Sequence, residues 1–108
     1  QVKNVHGLAA RTAATLTDTP LPVEKIIVDD GYVGAGYGLP TEGTLAAIQL
    51  FARQEGLLFD PVYSGKGLDG LINMVKQGFF DEAKDVVFLH TGGSAALFAY
   101  ETQLAAMG

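Results

Sequence analysis

Three short apolar runs in this chain are each followed by a polar turn that contains glycine and then by a helical pattern. The runs lie at residues 26–28, 57–59 and 86–89, and their large apolar side chains are typical of buried strands. Strands that alternate with helices form parallel sheets, because a helix is the usual connection between two parallel strands. The sequence therefore predicts the α/β fold class, a parallel sheet with flanking helices.

Apolar residues at helical spacing, together with terminal signals, predict four helices around this sheet. In the second helix, Leu45, Ile48 and Leu50 are expected to face the core, and Gly56 lies near the C-terminus. Ser94 is expected to cap the last helix. The predicted bounds are residues 2–16, about fifteen residues from Pro40 or Thr41, residues 68–77 with Gly78 as terminator, and residues 94–106.

Composition excludes several functional classes. A net charge of −5 and no cluster of basic residues argue against a nucleic-acid partner. The absence of cysteine excludes disulfides, thiolate metal ligands and thiol catalysis, and His6 and His90 lack the spacing of metal ligands. No apolar run approaches the roughly 20 residues that span a membrane. We therefore expect neither a metal nor a membrane partner, and a cytoplasmic location.

The three polar turns follow the carboxyl ends of the predicted strands, so they are expected to meet at one edge of the sheet. Ligands of open α/β sheets bind at that edge, which makes the polar side chains of these turns candidates for a binding site. The candidates are Tyr32, Tyr37, Tyr63, Ser64, Lys66, His90 and Thr91.

Each candidate also has an alternative interpretation without function. Residues 31–38 are rich in glycine, but they lack the glycine order and the Gly-Lys-Ser/Thr sequence of nucleotide-binding loops. The turn at 91–94 can bind an anion at a helix start or can be a tight turn with a cap. Tyrosines are acids, bases or half-buried aromatics. Lys66 is either catalytic or exposed to solvent, and His90 can be a satisfied core histidine.

Three segments in this order resemble one family of enzymes. They read YGLPTEG at 37–43, DPVYSGK at 60–66 and HTGG at 90–93. These segments resemble the C-terminal third of the D-cysteine desulfhydrase and 1-aminocyclopropane-1-carboxylate deaminase family. Its members are pyridoxal 5′-phosphate enzymes of the tryptophan-synthase-β type, also called fold type II. The resemblance covers essentially the whole chain.

The resemblance implies a role for four residues. Tyr37 and Tyr63 match the two active-site tyrosines that face the substrate, and are assigned as catalytic. Ser64 matches the position opposite the pyridine nitrogen of the cofactor, and Thr91 a position near the substrate. The deaminases have Glu and Leu at the last two positions, so Ser64 and Thr91 resemble the desulfhydrases.

The difference at position 64 bears on the reaction. A carboxylate beside the pyridine nitrogen favours its cationic form, whereas a serine hydroxyl can hydrogen-bond the neutral nitrogen but supplies no charge. The weaker electron sink suits β-elimination from a small amino acid, either D-cysteine with loss of sulfide or L-cysteate with loss of sulfite. The alternatives are the deaminase reaction, and a non-catalytic α/β binding module.

The family forms its Schiff base through a lysine in the N-terminal part of the polypeptide, and no lysine here lies in a matching motif. The sequence also begins at Gln1 within a helical pattern. We therefore interpret residues 1–108 as the C-terminal segment of one cofactor-binding domain, inactive alone. Its expected partners are the remainder of its own polypeptide, a small amino-acid substrate and a second copy in a homodimer.

Overall fold

Helices and irregular loops make up the computed structural model, which describes residues 1–108 and contains no β-strand. The chain divides into two compact units, residues 1–30 and residues 31–108. The first unit holds α1 (Val2–Ala13) and the 3₁₀ helix Val23–Lys25. The second holds α2 (Glu42–Glu55), α3 (Ser64–Lys76), the 3₁₀ helix Ser94–Tyr100 and α4 (Glu101–Ala105).

In the first unit, α1 ends three residues before the predicted bound of residue 16. Residues 14–16 form a turn instead, and the Thr15 hydroxyl donates to the carbonyl of Thr12 at 2.7 Å. Threonine lowers helix stability, since its branched side chain is restricted and its hydroxyl competes for backbone groups. His6 Nε2 hydrogen-bonds the carbonyl of Ile26 at 2.9 Å and links the helix to the end of this unit.

The predicted second helix is confirmed at both ends. The Thr41 side chain accepts a hydrogen bond from the Thr44 N–H at 3.0 Å, as an N-cap residue does. Gly56 ends α2 with a φ of +66°, a conformation that glycine adopts without steric cost.

The buried face of α2 was predicted only in part. Leu45 and Ile48 are buried as expected, but Leu50 is 46% exposed. The buried stripe follows Thr44, Leu45, Ala47 and Ile48, and Leu50 lies off that stripe.

The third helix begins at Ser64, four residues before the predicted start at residue 68. The Asp60 carboxylate accepts hydrogen bonds from the N–H groups of Val62, Tyr63 and Ser64, which supplies partners for the open donors of the helix start. Gly78, with a φ of +76°, follows the helix end as predicted.

The three predicted strands do not form, so the parallel sheet is not seen. A strand requires backbone partners on a neighbouring strand. In this structure, side chains instead donate hydrogen bonds to backbone carbonyl groups of these segments. The Leu58 carbonyl accepts from His90 Nε2 at 2.9 Å and from the Ser94 hydroxyl at 2.8 Å. Ser94 is therefore engaged elsewhere and does not cap the last helix, which is divided into a 3₁₀ helix and α4.

One phenylalanine from each of the last two apolar runs packs in the core of the second unit, although Leu57, Leu58, Val87 and Leu89 of the same runs are exposed. Phe59 is buried with Ala47, Ile48 and Leu68 of α2 and α3. Phe88, from the third run, meets the Phe59 ring edge to face at 5.7 Å between centroids. Apolar burial is non-directional, so it persists where strand pairing does not. No helix has the length and apolarity needed to cross a membrane.

Close contact between α2 and α3 depends on Gly65. A Cβ atom at this position would lie 2.5 Å from the Asp60 carbonyl oxygen and 2.7 Å from Cδ1 of Ile48. We expect Gly65→Ala to lower the free energy of unfolding by about 1–3 kcal/mol, because the two helices must separate.

Gly67→Ala is the matched control on the same helix. Its Cβ would meet only the Phe88 ring, at an ordinary 3.7 Å, and alanine favours helix by about 1 kcal/mol over glycine. Urea unfolding followed by circular dichroism measures both variants in the whole protein. Equal stability of the two variants would contradict this account of the helix contact.

Candidate active site

Tyr37 and Tyr63, which lie 26 residues apart in sequence, meet at their hydroxyl groups. The two phenolic oxygens are 2.6 Å apart and share a hydrogen bond, and the rings meet edge to face at 5.8 Å. Both side chains are largely exposed, at 79% for Tyr37 and 62% for Tyr63. The structure thus brings two of the predicted site residues together at an exposed position.

Three long-range hydrogen bonds from two side chains fix the loop that carries Tyr37. The Lys66 ammonium group, on α3, donates to the carbonyls of Val33 and Gly36. The Tyr100 hydroxyl donates to the carbonyl of Gly38 at 2.8 Å. Lys66 is therefore a structural cation that holds the glycine-rich loop, which is neither of the two roles considered for it from the sequence.

The hydrogen bond between the tyrosines changes the acidity of one of them. The bond to Tyr37 raises the pKa of Tyr63 above its ordinary value, and the nearby phenol and the Asp60 carboxylate act in the same direction. A negative charge on Tyr63 is disfavoured by these neighbours. Tyr63 is therefore protonated at neutral pH, as an ordinary tyrosine also is.

Ser64 lies next to Tyr63 but points into the protein, and is only 5% exposed. Its hydroxyl donates to Oδ1 of Asp60 at 2.5 Å and accepts from the Asp60 N–H at 3.0 Å. A hydroxyl has one proton and two lone pairs. One acceptor position of Ser64 therefore remains for a further donor.

Asp60, which was not among the predicted site residues, holds this turn together. Its carboxylate is 1% exposed and accepts four hydrogen bonds, three from backbone N–H groups and one from the Ser64 hydroxyl. Burial raises the pKa of Asp60, but the bonds from Ser64, Tyr63 and Val62 together bring that pKa below its ordinary value. The signal in the sequence was an Asp before Pro61, with a serine four residues after the Asp.

The third turn lies against Asp60. A Cβ atom on Gly93 would be 2.9 Å from Oδ1 of Asp60, so only a glycine fits there. Thr91 is exposed in this turn, two residues before Gly93. The structure therefore brings the second and third predicted turns together.

His90 and Tyr32 have structural roles. His90 Nε2 bonds the Leu58 carbonyl and its Nδ1 accepts from the Gly92 N–H at 3.0 Å, which requires the neutral Nε2-protonated tautomer. Its ring stacks on Phe59 at 4.5 Å. The Tyr32 ring packs against α3, where a Cβ atom on Gly70 would lie 3.2 Å from it.

Comparison with known proteins assigns this arrangement to a family. The sequence matches the family described as pyridoxal-phosphate dependent enzyme over residues 2–92. The chain belongs to this family. The family supports the tryptophan-synthase-β type of fold expected from the sequence, and pyridoxal phosphate is the cofactor that the family uses.

Two named relatives differ in their reactions. The chain is 45% identical over 96 residues to D-cysteine desulfhydrase from Yersinia pestis (strain Pestoides F), an alignment that covers 89% of this chain. It is 46% identical over 93 residues to 1-aminocyclopropane-1-carboxylate deaminase from Burkholderia ambifaria, covering 84% of this chain. The chain spans about 28% of the length of each relative.

The polar groups of the site suit the cofactor of this family. Pyridoxal phosphate carries a ring nitrogen that needs a single hydrogen-bond partner, and Ser64 has one remaining acceptor position beside a buried carboxylate. The exposed tyrosine hydroxyls lie at the start of the same helix.

The tyrosine pair yields a prediction about ionisation. In Tyr37→Phe the pKa of Tyr63 should fall toward its ordinary value, because the first cause of its elevation is the bond to Tyr37. The change is measured as the difference in tyrosinate ultraviolet absorbance between Tyr37→Phe and the double Tyr37→Phe/Tyr63→Phe variant across an alkaline titration. Tyr32→Phe is the control and should leave Tyr63 unchanged. If the titration midpoint of Tyr63 is the same in Tyr37→Phe as in the parent protein, the bond to Tyr37 is not the cause of the raised pKa.

Asp60 yields a prediction about acid stability. Because its pKa is lowered below 3.8 in the folded state, its contribution to stability is present above that pH and is lost as pH falls through the folded pKa. Asp60→Asn should lower the free energy of unfolding by about 2–4 kcal/mol at neutral pH, since hydrogen bonds to a buried charge are lost. The difference between the two proteins should shrink as pH falls below 3.8 and through the lower pKa of the folded state. Urea unfolding midpoints of the two proteins, measured at neutral pH and below pH 3.8, test this prediction. A stability difference that is the same at both pH values would contradict it.

Proposed function

We propose that this chain forms one wall of the active site of a pyridoxal-phosphate-dependent carbon–sulfur lyase that acts on D-cysteine. The reaction is a β-elimination in which D-cysteine and water give pyruvate, ammonia and hydrogen sulfide. The observation that carries this proposal is the hydroxyl pair of Tyr37 and Tyr63 directly before Ser64, in a chain 45% identical to a D-cysteine desulfhydrase.

Ser64 and Thr91 support elimination over ring opening. The deaminases resembled by this sequence have Glu and Leu at these positions, whereas this chain has the desulfhydrase-like pair. Ser64 is assigned to the cofactor's ring nitrogen and Thr91 to the substrate. L-cysteate, the other sulfur substrate expected from the sequence, gains no support from the names of the relatives.

Bound pyridoxal phosphate supplies the electron sink that allows an amino acid to lose its α-proton and then its β-substituent. Tyr63 retains its proton at neutral pH, so its hydroxyl is suited to donate toward the departing sulfur. Tyr37 Oη accepts or returns a proton through the 2.6 Å bond between the two phenols. Both tyrosine side chains are largely exposed, so a substrate can reach both hydroxyl groups.

The remainder of the polypeptide supplies the lysine that holds the cofactor in this proposal. A homodimer is proposed on the family resemblance. Two alternatives are open to test: a deaminase, favoured by the 46% identity to 1-aminocyclopropane-1-carboxylate deaminase, and a non-catalytic binding module. The binding module predicts no cofactor binding even in the complete protein.

Substitution at the two discriminating positions tests substrate choice in the complete enzyme. Ser64→Glu combined with Thr91→Leu should change the ratio of kcat/KM for D-cysteine to that for 1-aminocyclopropane-1-carboxylate by at least about tenfold, or about 1.4 kcal/mol, in favour of the cyclopropane. Pyruvate, sulfide and 2-oxobutanoate are the products to assay.

Ser64→Thr is the matched control, because it keeps a hydroxyl and should retain preference for D-cysteine. No change of the ratio in the double variant would show that these two residues do not set the substrate. A parent enzyme without D-cysteine activity would refute the proposed reaction itself.

A further inference from the structure

The position of the Tyr37 side chain is set by the backbone turn that carries it rather than by burial. The Leu39 N–H donates to the Gly36 carbonyl at 3.3 Å and closes a turn in which Tyr37 is the second residue and Gly38 the third. Gly38 has a φ of +72°, a value that a type II turn has at its third residue. Since the Tyr37 side chain is 79% exposed, packing of its ring contributes little, and the place of its hydroxyl follows the backbone.

Two side chains from other parts of the second unit hold the carbonyl groups of this turn. The Lys66 ammonium group donates to the Gly36 carbonyl at 3.1 Å. The Tyr100 hydroxyl donates to the Gly38 carbonyl at 2.8 Å. One of these carbonyls precedes Tyr37 in the chain and the other follows it. The turn is therefore anchored on both sides of Tyr37.

The Lys66 contact joins a charged donor to neutral acceptors. A second hydrogen bond from the same ammonium group reaches the carbonyl of Val33, so Lys66 bridges two points of the loop. Hydrogen bonds from an ionised donor are stronger than neutral ones, and an ammonium group has three hydrogens to donate. An apolar side chain of similar length supplies neither the charge nor the donors.

Lys66 also lies close to the partner of Tyr37 on the same helix. Tyr63 is the N-cap residue of α3, and Lys66 follows it three residues later. Residues at this spacing are neighbours on one helix face. The start of one helix therefore carries both the hydroxyl that Tyr37 bonds at 2.6 Å and the ammonium group that holds the turn of Tyr37.

We propose that Lys66 is a positioning residue for the reaction, which sets Tyr37 against Tyr63 by holding the turn at residues 36–39. This proposal rests on the catalytic role proposed above for the two tyrosines. In this role Lys66 acts through Tyr37 and needs no contact with the substrate. Without the ammonium group the Tyr100 bond still attaches the loop, but the Tyr37 hydroxyl is no longer held at hydrogen-bond distance from Tyr63.

Lys66→Met in the complete holoenzyme is the test, because methionine keeps an unbranched stem and has no hydrogen to donate. With D-cysteine, kcat should fall by about ten- to a hundredfold while KM stays within about twofold, since misplacing a catalytic group by about 1 Å weakens the transition state more than substrate binding. In a crystal structure of this variant at neutral pH, the two phenolic oxygens should lie beyond hydrogen-bond distance.

Lys76→Met is the matched control, because Lys76 is an exposed lysine in the last turn of the same helix. It should leave kcat and the distance between the phenolic oxygens unchanged. A loss of kcat in Lys76→Met equal to that in Lys66→Met overturns the proposal, because any lysine of this helix then has the same effect.

A double-substitution cycle with Tyr37→Phe separates positioning from a general loss of structure. In the Tyr37→Phe background, Lys66→Met should cause no further loss of kcat, because the hydroxyl that Lys66 positions is already absent. An equal loss with and without the Tyr37 hydroxyl overturns the proposal, because Lys66 then acts through another group.

The outcomes also separate this proposal from the proposed function. If Tyr37→Phe lowers kcat but Lys66→Met does not, the function stands and the role of Lys66 is overturned. If the parent enzyme releases no sulfide from D-cysteine, the proposed reaction fails, and the crystal structures still decide whether Lys66 sets the tyrosine pair. A crystal structure of the complete parent enzyme in which Lys66 does not contact the Gly36 carbonyl overturns the proposal without any variant, so the test does not depend on a variant that folds.

Discussion

The buried carboxylate of Asp60 is the interaction on which the arrangement of the site depends. An ionised side chain with 1% exposure is stable only when hydrogen bonds replace the lost water, and Asp60 has four. Those bonds start α3, direct the Ser64 hydroxyl inward and leave Tyr63 at the surface. The third turn can approach only because residue 93 is glycine. One carboxylate thus organises both sides of the site.

The loop that carries Tyr37 is fixed in a different way, by side chains that bind backbone carbonyls. Lys66 from α3 and Tyr100 from the end of the second 3₁₀ helix provide these bonds. The backbone carbonyl of Leu58 is bound in the same way, by the side chains of His90 and Ser94. Within residues 31–108, polar side chains therefore perform the bridging that strand pairing performs in a sheet.

Local signals account for what could be predicted. The Thr41 cap, the left-handed Gly56 and the helical spacing of Leu45 and Ile48 all involve residues within a few positions of one another, and α2 formed as expected. Of the apolar run at 57–59, which was predicted to be buried, only Phe59 reaches the core, whereas Leu57 and Leu58 are exposed. Its prediction as a strand was wrong, because strand formation needs a partner segment that local sequence does not specify.

The sequence by itself determined the two ends of α2 and the three segments that identify the family, since each is a property of neighbouring residues. Only the tertiary structure decided that the hydroxyls of Tyr37 and Tyr63 share a bond, that Lys66 is structural, and that Ser64 gives its proton to Asp60. The physical reason is that proton sharing and charge burial depend on distances of a few tenths of an ångström. Packing of α2, α3 and the intervening loops sets those distances.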